Sequence, residues 1–201
     1  MLLGLDVGGT FTDAVIIDGH RVVATAKRRT TKDNLMNGIG EALDAVLEGY
    51  DTSNIEQVTL STTVVTNTIV EEKEQVVDLY VVTGPGRNVD DIFPVKPIYL
   101  QGYTDHRGIV VERTPADAVR GIANMVQARS GTDLAAVSAK FGVRNPQEEL
   151  SITEELKNTY HVISNGSLLS GSLNFPRRTI SAYFNSAVTP VFTVFKKNVE
   201  D

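Results

Sequence analysis

The sequence predicts a mixed-sheet α/β fold, and three observations carry that expectation. Between Met1 and Ala26, three short apolar runs are separated by tight-turn residues, the pattern of an antiparallel meander. From Leu35 the apolar spacing changes to three and four residues, that of an amphipathic helix. Beyond Val76, β-rich runs alternate with stretches that open on helix-start residues.

Leu2 to Val7 reads as a buried strand that ends in an acid and enters a turn at Gly8-Gly9. Ala14 to Ile17 is a second strand, Asp18-Gly19 a hairpin turn, and Arg21 to Ala26 the returning third strand. Leu35, Met36, Ile39, Ala42, Leu43, Val46 and Leu47 fall on one helical face, with Gly49 as the stop. Val58 to Leu60 is a strand, followed by a Thr-rich turn and a short helix from Val65 to Glu72. Val76 to Val82 is the most β-like run, broken by Gly84-Pro85-Gly86 and followed by loop to about Gln101. Thr114 is placed to cap a helix beginning at Pro115, with Asp117 completing a capping box and Gly131 ending it. Ala135 to Val143 is a strand, Asn145-Pro146-Gln147-Glu148 opens another helix, and His161 to Ser164 is a strand ended by Asn165-Gly166. The last segment has Ile180, Tyr183, Phe184, Ala187, Val188, Val191, Phe192 and Phe195 at helical spacing, with a kink or break expected at Pro190. Its Phe184/Phe192/Phe195 stripe reads as a core face, or else as a surface covered by a further lobe. Three antiparallel strands followed by alternating helices and strands point to a ribonuclease-H-like sheet. A loop-rich stretch near Pro94 to Asp105 then divides a lobe over residues 1–93 from a smaller α/β lobe over 103–201.

Composition narrows the function. The 201 residues are 41% hydrophobic and carry a net charge of −6, with no stretch basic enough for nucleic acid. Lys27-Arg28-Arg29 is the one basic cluster, and its three residues read as a solvated strand edge. Cysteine is absent, which excludes disulfides, thiolate metal sites and a thiol nucleophile. His20, His106 and His161 lie far apart and form no metal-binding pair, and no G-x-S-x-G elbow supports a serine hydrolase. The start, Met1-Leu2-Leu3-Gly4-Leu5-Asp6, lacks the basic opening of a signal peptide, and no apolar run reaches the ~20 residues of a membrane span. A soluble, cytoplasmic protein that meets neither membrane nor nucleic acid is the expectation.

The segment that carries chemistry is Leu5-Asp6-Val7-Gly8-Gly9-Thr10-Phe11-Thr12-Asp13. An acid at a strand end suits the water shell of Mg²⁺, which binds through few carboxylates. Paired glycines let backbone N–H groups approach phosphate oxygens, and Thr10 and Thr12 add uncharged donors. Asp13 opens the next strand, placed to bind substrate, order the loop or cap a turn. An ordinary Gly-Gly hairpin would not need this combination of acid and alternating threonines. It is neither a Walker A loop nor a dinucleotide fingerprint.

Asp6-Val7-Gly8-Gly9-Thr10-Phe11-Thr12-Asp13 resembles the first phosphate loop of the actin/sugar-kinase/Hsp70 superfamily, and its Phe-Thr-Asp ending is similar to that of the hydantoinase/5-oxoprolinase family. Three later segments follow that family in order. Ser61-Thr62-Thr63-Val64-Val65-Thr66-Asn67-Thr68-Ile69-Val70-Glu71 resembles "HGTTVATNALLE". Phe141 to Glu149 resembles a strand leading into "NP-x-x-E", and Arg177 to Tyr183 resembles "ERTSTTVVNAY". The departures are Leu60-Ser61 in place of the family's His-Gly, Ser167-Leu168-Leu169-Ser170-Gly171-Ser172 in place of its acidic, Pro-containing approach to the final helix, and a loose match from Gly84 to Pro97 that keeps Thr83, Gly86 and Arg87.

The resemblance implies an ATP site between two lobes, of which this chain supplies the first phosphate loop. No second acid-Gly-Gly-Thr loop follows Asp13, so by resemblance the second lobe lies outside the chain, and the chain alone is expected to be inactive. Asp6 would orient Mg²⁺, through water, or the nucleophile. Gly8, Gly9, Thr10 and Thr12 would hold the β- and γ-phosphates of ATP. Thr62, Thr63, Thr66 and Asn67 would line the same cleft, or else form a Ser/Thr-rich helix cap. Asp13 and Arg87 are weaker candidates for substrate contact. The implied activity is ATP-dependent hydrolysis of a cyclic amide such as a hydantoin or 5-oxoproline, with the remainder of the enzyme or a partner subunit. The alternatives are a small-molecule kinase of the same superfamily and a non-catalytic nucleotide-binding module.

Overall fold

In the computed structural model, residues 1–31, 35–86 and 90–200 are described. Arg87 lies outside them, so its expected role in substrate contact has no structural counterpart here. The chain folds as two units, Met1–Lys73 together with the segment from Pro190, and Glu74–Thr189. This division differs from the expected break between residues 93 and 103. That stretch lies inside the second unit, where Ile98 and Tyr99 pair with its sheet.

The first unit is built around Leu2–Val7 (β1). Leu3, Leu5 and Val7 are buried, while Asp6 on the alternate face is exposed. Phe11–Asp18 (β2) pairs antiparallel with β1, and Arg21–Arg29 (β3) pairs antiparallel with β2, so the expected meander is present. Gly19 turns the hairpin with φ +58°, a conformation that costs a residue bearing a Cβ. Leu35–Leu47 (α1) buries Ile39, Ala42 and Val46 against this sheet, and Gly49 follows it at φ +81°. Gln57–Thr62 (β4) then pairs parallel with β1, giving a mixed sheet of order β3-β2-β1-β4. Val64–Val70 (α2) follows directly. Phe195 joins this core at 4% exposure, whereas Phe192 is exposed, so the predicted stripe is split.

The second unit holds a parallel sheet of order β10-β9-β5-β6, from Asp78–Val82 (β5), Ile98–Tyr99 (β6), Leu134–Ala139 (β9) and Val162–Asn165 (β10). Tyr103–Thr104 (β7) and Val110–Glu112 (β8) make a separate small hairpin. Every residue of β5 and β9 is buried, as expected for strands covered on both faces. Ala116–Ser130 (α3) and Gln147–Leu156 (α4) cover one face through Val119, Ala123, Ile152 and Leu156. Gly166–Leu169 (α5) is a single turn, and Phe175–Glu200 (α6) sets Phe175, Ala182, Tyr183 and Ala187 on the other face.

Three local expectations change. Residues 140–143 form a turn instead of continuing β9. Pro190 lies inside α6, so the break expected as one alternative does not occur there. Thr114 makes no capping box. Its N–H and Oγ1 bond the buried Glu148 at 3.0 Å, Oγ1 also reaches Gln101 O at 2.6 Å, and Pro115 takes the cap position.

The parallel sheet encloses a polar network. Tyr160 donates to Asp78 Oδ2 at 2.8 Å and shares a 2.7 Å hydrogen bond with Tyr80, while Ser130 donates to the same Asp78 oxygen. Burial pushes the Tyr80 hydroxyl up to about 12, and burial together with the Tyr80 and Asp78 bonds pushes Tyr160 up as well. The folded protein therefore holds these protons more tightly than the unfolded chain does. This stability is complete below the ordinary tyrosine value of 10 and is lost as pH rises toward about 12. Urea-denaturation midpoints should fall from pH 10 upward, and fall less steeply in Tyr80→Phe.

Candidate functional site

The paired register of the first sheet aligns four side chains in one row across its open face. Asp6 on β1 is opposite Asp13 on β2, Asp13 is opposite Lys27 on β3, and Asp6 is opposite Ser61 on β4. Directly opposed carboxylates repel at Cβ separations of about 5 Å. Lys27 offsets that repulsion by ion-pairing with both Asp13 oxygens at 2.6 and 2.8 Å. Ser61 Oγ donates to Asp6 Oδ1 at 2.6 Å, and Asp6 Oδ2 has no partner among the described residues. The four residues border a depression of about 510 Å³.

The loop leaving β1 is held from beneath. Gly8 N–H donates to Phe11 O at 3.0 Å, and Thr30 Oγ1 donates to Gly8 O at 2.8 Å. Thr12 is fully buried, and its hydroxyl pairs with Thr30 Oγ1 at 3.1 Å. The β2 alternation thus turns Thr12 inward and Asp13 outward, so Thr12 braces the loop from the side opposite Asp6. Thr10 is exposed. Among the described residues, the N–H groups of Gly9 and Thr10 and the Thr10 hydroxyl make no hydrogen bond. This leaves three donors unclaimed one turn beyond the Asp6 carboxylate.

The second predicted cluster braces the same loop. Thr62 Oγ1 donates to Val7 O at 3.1 Å and accepts from Val64 N–H at 3.2 Å, while Thr63 N–H donates to Val7 O. Asn67 Nδ2 donates to Thr63 Oγ1 at 3.1 Å. A Cβ on Gly9 would lie 2.6 Å from Asn67 Nδ2, so the close approach of that amide is what glycine permits here. Gly8, Gly9, Thr30, Thr62 and Asn67 line a cavity of about 250 Å³. Thr63 at the N-cap of α2 and Thr66 on α2 stay exposed and do not line it. Seven of the predicted residues gather around the loop after β1. Asp6 and Asp13 stand in the row, and Gly8, Gly9, Thr62 and Asn67 gather at the cavity, with Thr10 at the loop tip.

Lys27 and Ser61 belong to the site although sequence reading placed neither in it. Lys27 stood in a basic cluster read as a solvated edge, and Ser61 stood only as a departure from a family pattern. Counting on from the Ile17–Val22 pair would have put Ala26 opposite Asp13. A bulge between Ile16 and Ile17 shifts β3 by one residue, leaves Val23 unpaired and brings Lys27 there instead. Leu60, in place of the family's histidine, packs partly buried against the first core.

Fold and loop together define an α/β protein that presents a carboxylate beside unclaimed backbone donors. Residues 2–160 match the family described as the hydantoinase/oxoprolinase N-terminal region, so the chain belongs to that family. No curated protein matches it in sequence. Among solved structures, it is similar to nucleotide-free acetone carboxylase, described for ATP-dependent acetone carboxylation, with TM-score 0.76 at 18% identity over 98% of this chain. It is also similar to an ATP-dependent caprolactamase from Pseudomonas jessenii, with TM-score 0.72 at 19% identity over 100% of this chain. At these identities the likeness is one of fold. The chain spans about a third of each protein, 34% and 33% of their lengths. Among the described residues, no helix is long and apolar enough to cross a membrane, and no three metal-ligating side chains gather.

Gly9→Ala should push the Asn67 amide off its bond to Thr63 Oγ1 and destabilise the protein by ~1 kcal/mol, the net worth of such a bond. Asn67→Ala in the same chain should relieve most of that loss. A double-mutant cycle in urea checks this, and additive losses would show that the two side chains do not meet.

Proposed function

We propose that this chain supplies the first phosphate loop and the cation-orienting carboxylate of an ATP-dependent enzyme acting on a cyclic amide such as a hydantoin or 5-oxoproline. The observation that carries the reading is Asp6, held on one oxygen by Ser61 and open on the other, one turn before the unclaimed donors of Gly9 and Thr10. Family membership supports the reaction class, and the mixed sheet supports reading the first unit as ribonuclease-H-like.

The residues present fit Mg-ATP. A hard, strongly hydrated cation takes one or two carboxylates and fills its remaining positions with water and phosphate oxygens. Asp6, with Asp13 beside it neutralised by Lys27, is such a donor set, and its location needs no protein cage. Gly9 N–H, Thr10 N–H and Thr10 Oγ1 would hold phosphate oxygens, with fixed donors already aimed by the loop. Bound Mg-ATP would supply the phosphoryl group that activates an amide oxygen. Thr12, Thr30, Thr62 and Asn67 act from beneath, keeping the loop in place so that no ordering cost falls on ligand binding. Thr63 and Thr66 remain candidates to border the nucleotide from α2, and Asp13 to meet the substrate. Leu60 brings no imidazole to the position where the family has one, so proton transfer at that point falls to other groups. The remainder of the ATP site belongs to a second lobe or partner subunit, and this chain alone is inactive. The expected compartment is the cytoplasm.

Asp6→Asn in the complete enzyme should abolish nucleotide-dependent turnover of the cyclic amide while leaving the circular dichroism spectrum and melting temperature near wild type. Normal turnover by the variant would remove Asp6 from the site. With the wild-type enzyme, a stable phosphorylated product would indicate a kinase, and Mg-ATP binding without hydrolysis would indicate a nucleotide-binding module.

A further inference from the structure

The carboxyl ends of the parallel sheet carry an arrangement that the nucleotide reading does not use. The chain leaves β5 toward β6 on one side and leaves β9 through α4 toward β10 on the other. At such a reversal the two connections part and leave a crevice beyond the strand ends, where open parallel sheets bind small ligands.

Lys140 follows β9 at this point, its N–H donating to Val82 O at 2.8 Å. Its side chain is half-buried with Nζ 5.6 Å from the Phe141 ring, and it forms no ion pair among the described residues. Gly86, in the turn that follows β5, faces it. Gly86 has φ +142°, and a Cβ there would stand 3.5 Å from Lys140 Nζ. The N–H groups of Gly84, Gly86 and Phe141 donate to no described residue.

Phe141 adopts φ +65°, which a bulky residue takes only when its surroundings compel it. Two fully buried charged residues do so by gripping Ala139. Glu149 Oε1 accepts its N–H at 2.8 Å, and Arg178 Nη2 donates to its carbonyl at 3.0 Å. Glu149 also accepts from Ser167 N–H at 2.8 Å, tying the turn after β9 to the end of β10. A Cβ on Gly142 would fall 2.5 Å from Glu149 Oε1, so this carboxylate fills the space beneath the turn. Burying two charges is costly, and a surface loop does not need it for stability. What it secures is a rigid turn that displays Lys140.

We propose that this crevice binds the carboxylate of a small-molecule ligand, with the Lys140 ammonium as counter-ion and the free N–H groups of Gly86 and Phe141 as donors. Among the described residues Lys140 is the unpaired cation here, and a single cation matches one negative charge better than a phosphate dianion. The site lies wholly in the second unit and does not depend on the nucleotide reading.

The test is titration of the protein with sodium acetate, and separately with inorganic phosphate, at constant ionic strength, following backbone amide signals by NMR. Acetate should give saturable shifts centred on Gly86 and Phe141, and Lys140→Met should weaken its binding about tenfold, as loss of a charged hydrogen-bond donor does. Gly86→Ala, which closes space beside the ammonium, should weaken it too. Shifts that never saturate, or saturate equally in both variants, would overturn the site. Tighter binding of phosphate than of acetate would overturn the carboxylate assignment.

Discussion

The first unit depends on β1 being paired on both sides with strands of opposite sense. An antiparallel neighbour on one edge and a parallel neighbour on the other fix which residues stand level with Asp6. Asp13 arrives from β2 and Ser61 from β4, and both would be misplaced by a slip of a single residue, which turns every side chain to the opposite face. The row is electrostatically unbalanced until Lys27 joins it from β3. With Asp13 paired to Lys27, Asp6 is left with one oxygen committed to Ser61 and one open to a ligand.

The two faces of that sheet divide the work. The open face holds charge, and the buried face holds the loop. Thr12, Thr30 and Thr62 hydroxyls, together with the backbone of Gly8 and Val7, tie the segment after β1 down without any charge. A loop ordered in this way can leave the N–H groups of Gly9 and Thr10 unpaired, because its shape does not depend on them. Preorganised donors of this kind stabilise a phosphate more than the same donors on a flexible loop.

The second unit uses polar burial differently. Its strands β5 and β9 are buried along their whole length, so polar groups inside it must find partners within the protein. Asp78 satisfies one oxygen with Tyr160 and Ser130, and Tyr160 in turn meets Tyr80. Glu149 and Arg178 meet through the backbone of Ala139. Burial pulls the Arg178 guanidinium below its ordinary pKa, and the nearby Glu149 charge opposes that pull.

Much of this architecture was legible before any coordinates. The apolar alternation of Leu3, Leu5 and Val7, the Asp18-Gly19 turn, the 3.6-residue period of α1 and the acid-Gly-Gly-Thr loop are local patterns, and each produced the element or turn it signalled. The family could be read from four segments in order, and its match covers residues 2–160. Helix starts were less secure. Thr114 carries the residue type of a cap, but it stands one residue before the cap position, where Gln101 O and Glu148 share its hydroxyl. The direction in which Thr12 points, the partnership of Lys27 with Asp13 and the bond from Ser61 to Asp6 were decided only by the tertiary structure. The sequence by itself determined that an acid-Gly-Gly-Thr loop would stand at the end of a buried strand, because turn chemistry and strand alternation are set by neighbouring residues. Which side chains would share its face was settled by strand pairing between distant segments and by one bulge at Val23, and no local pattern encodes that register.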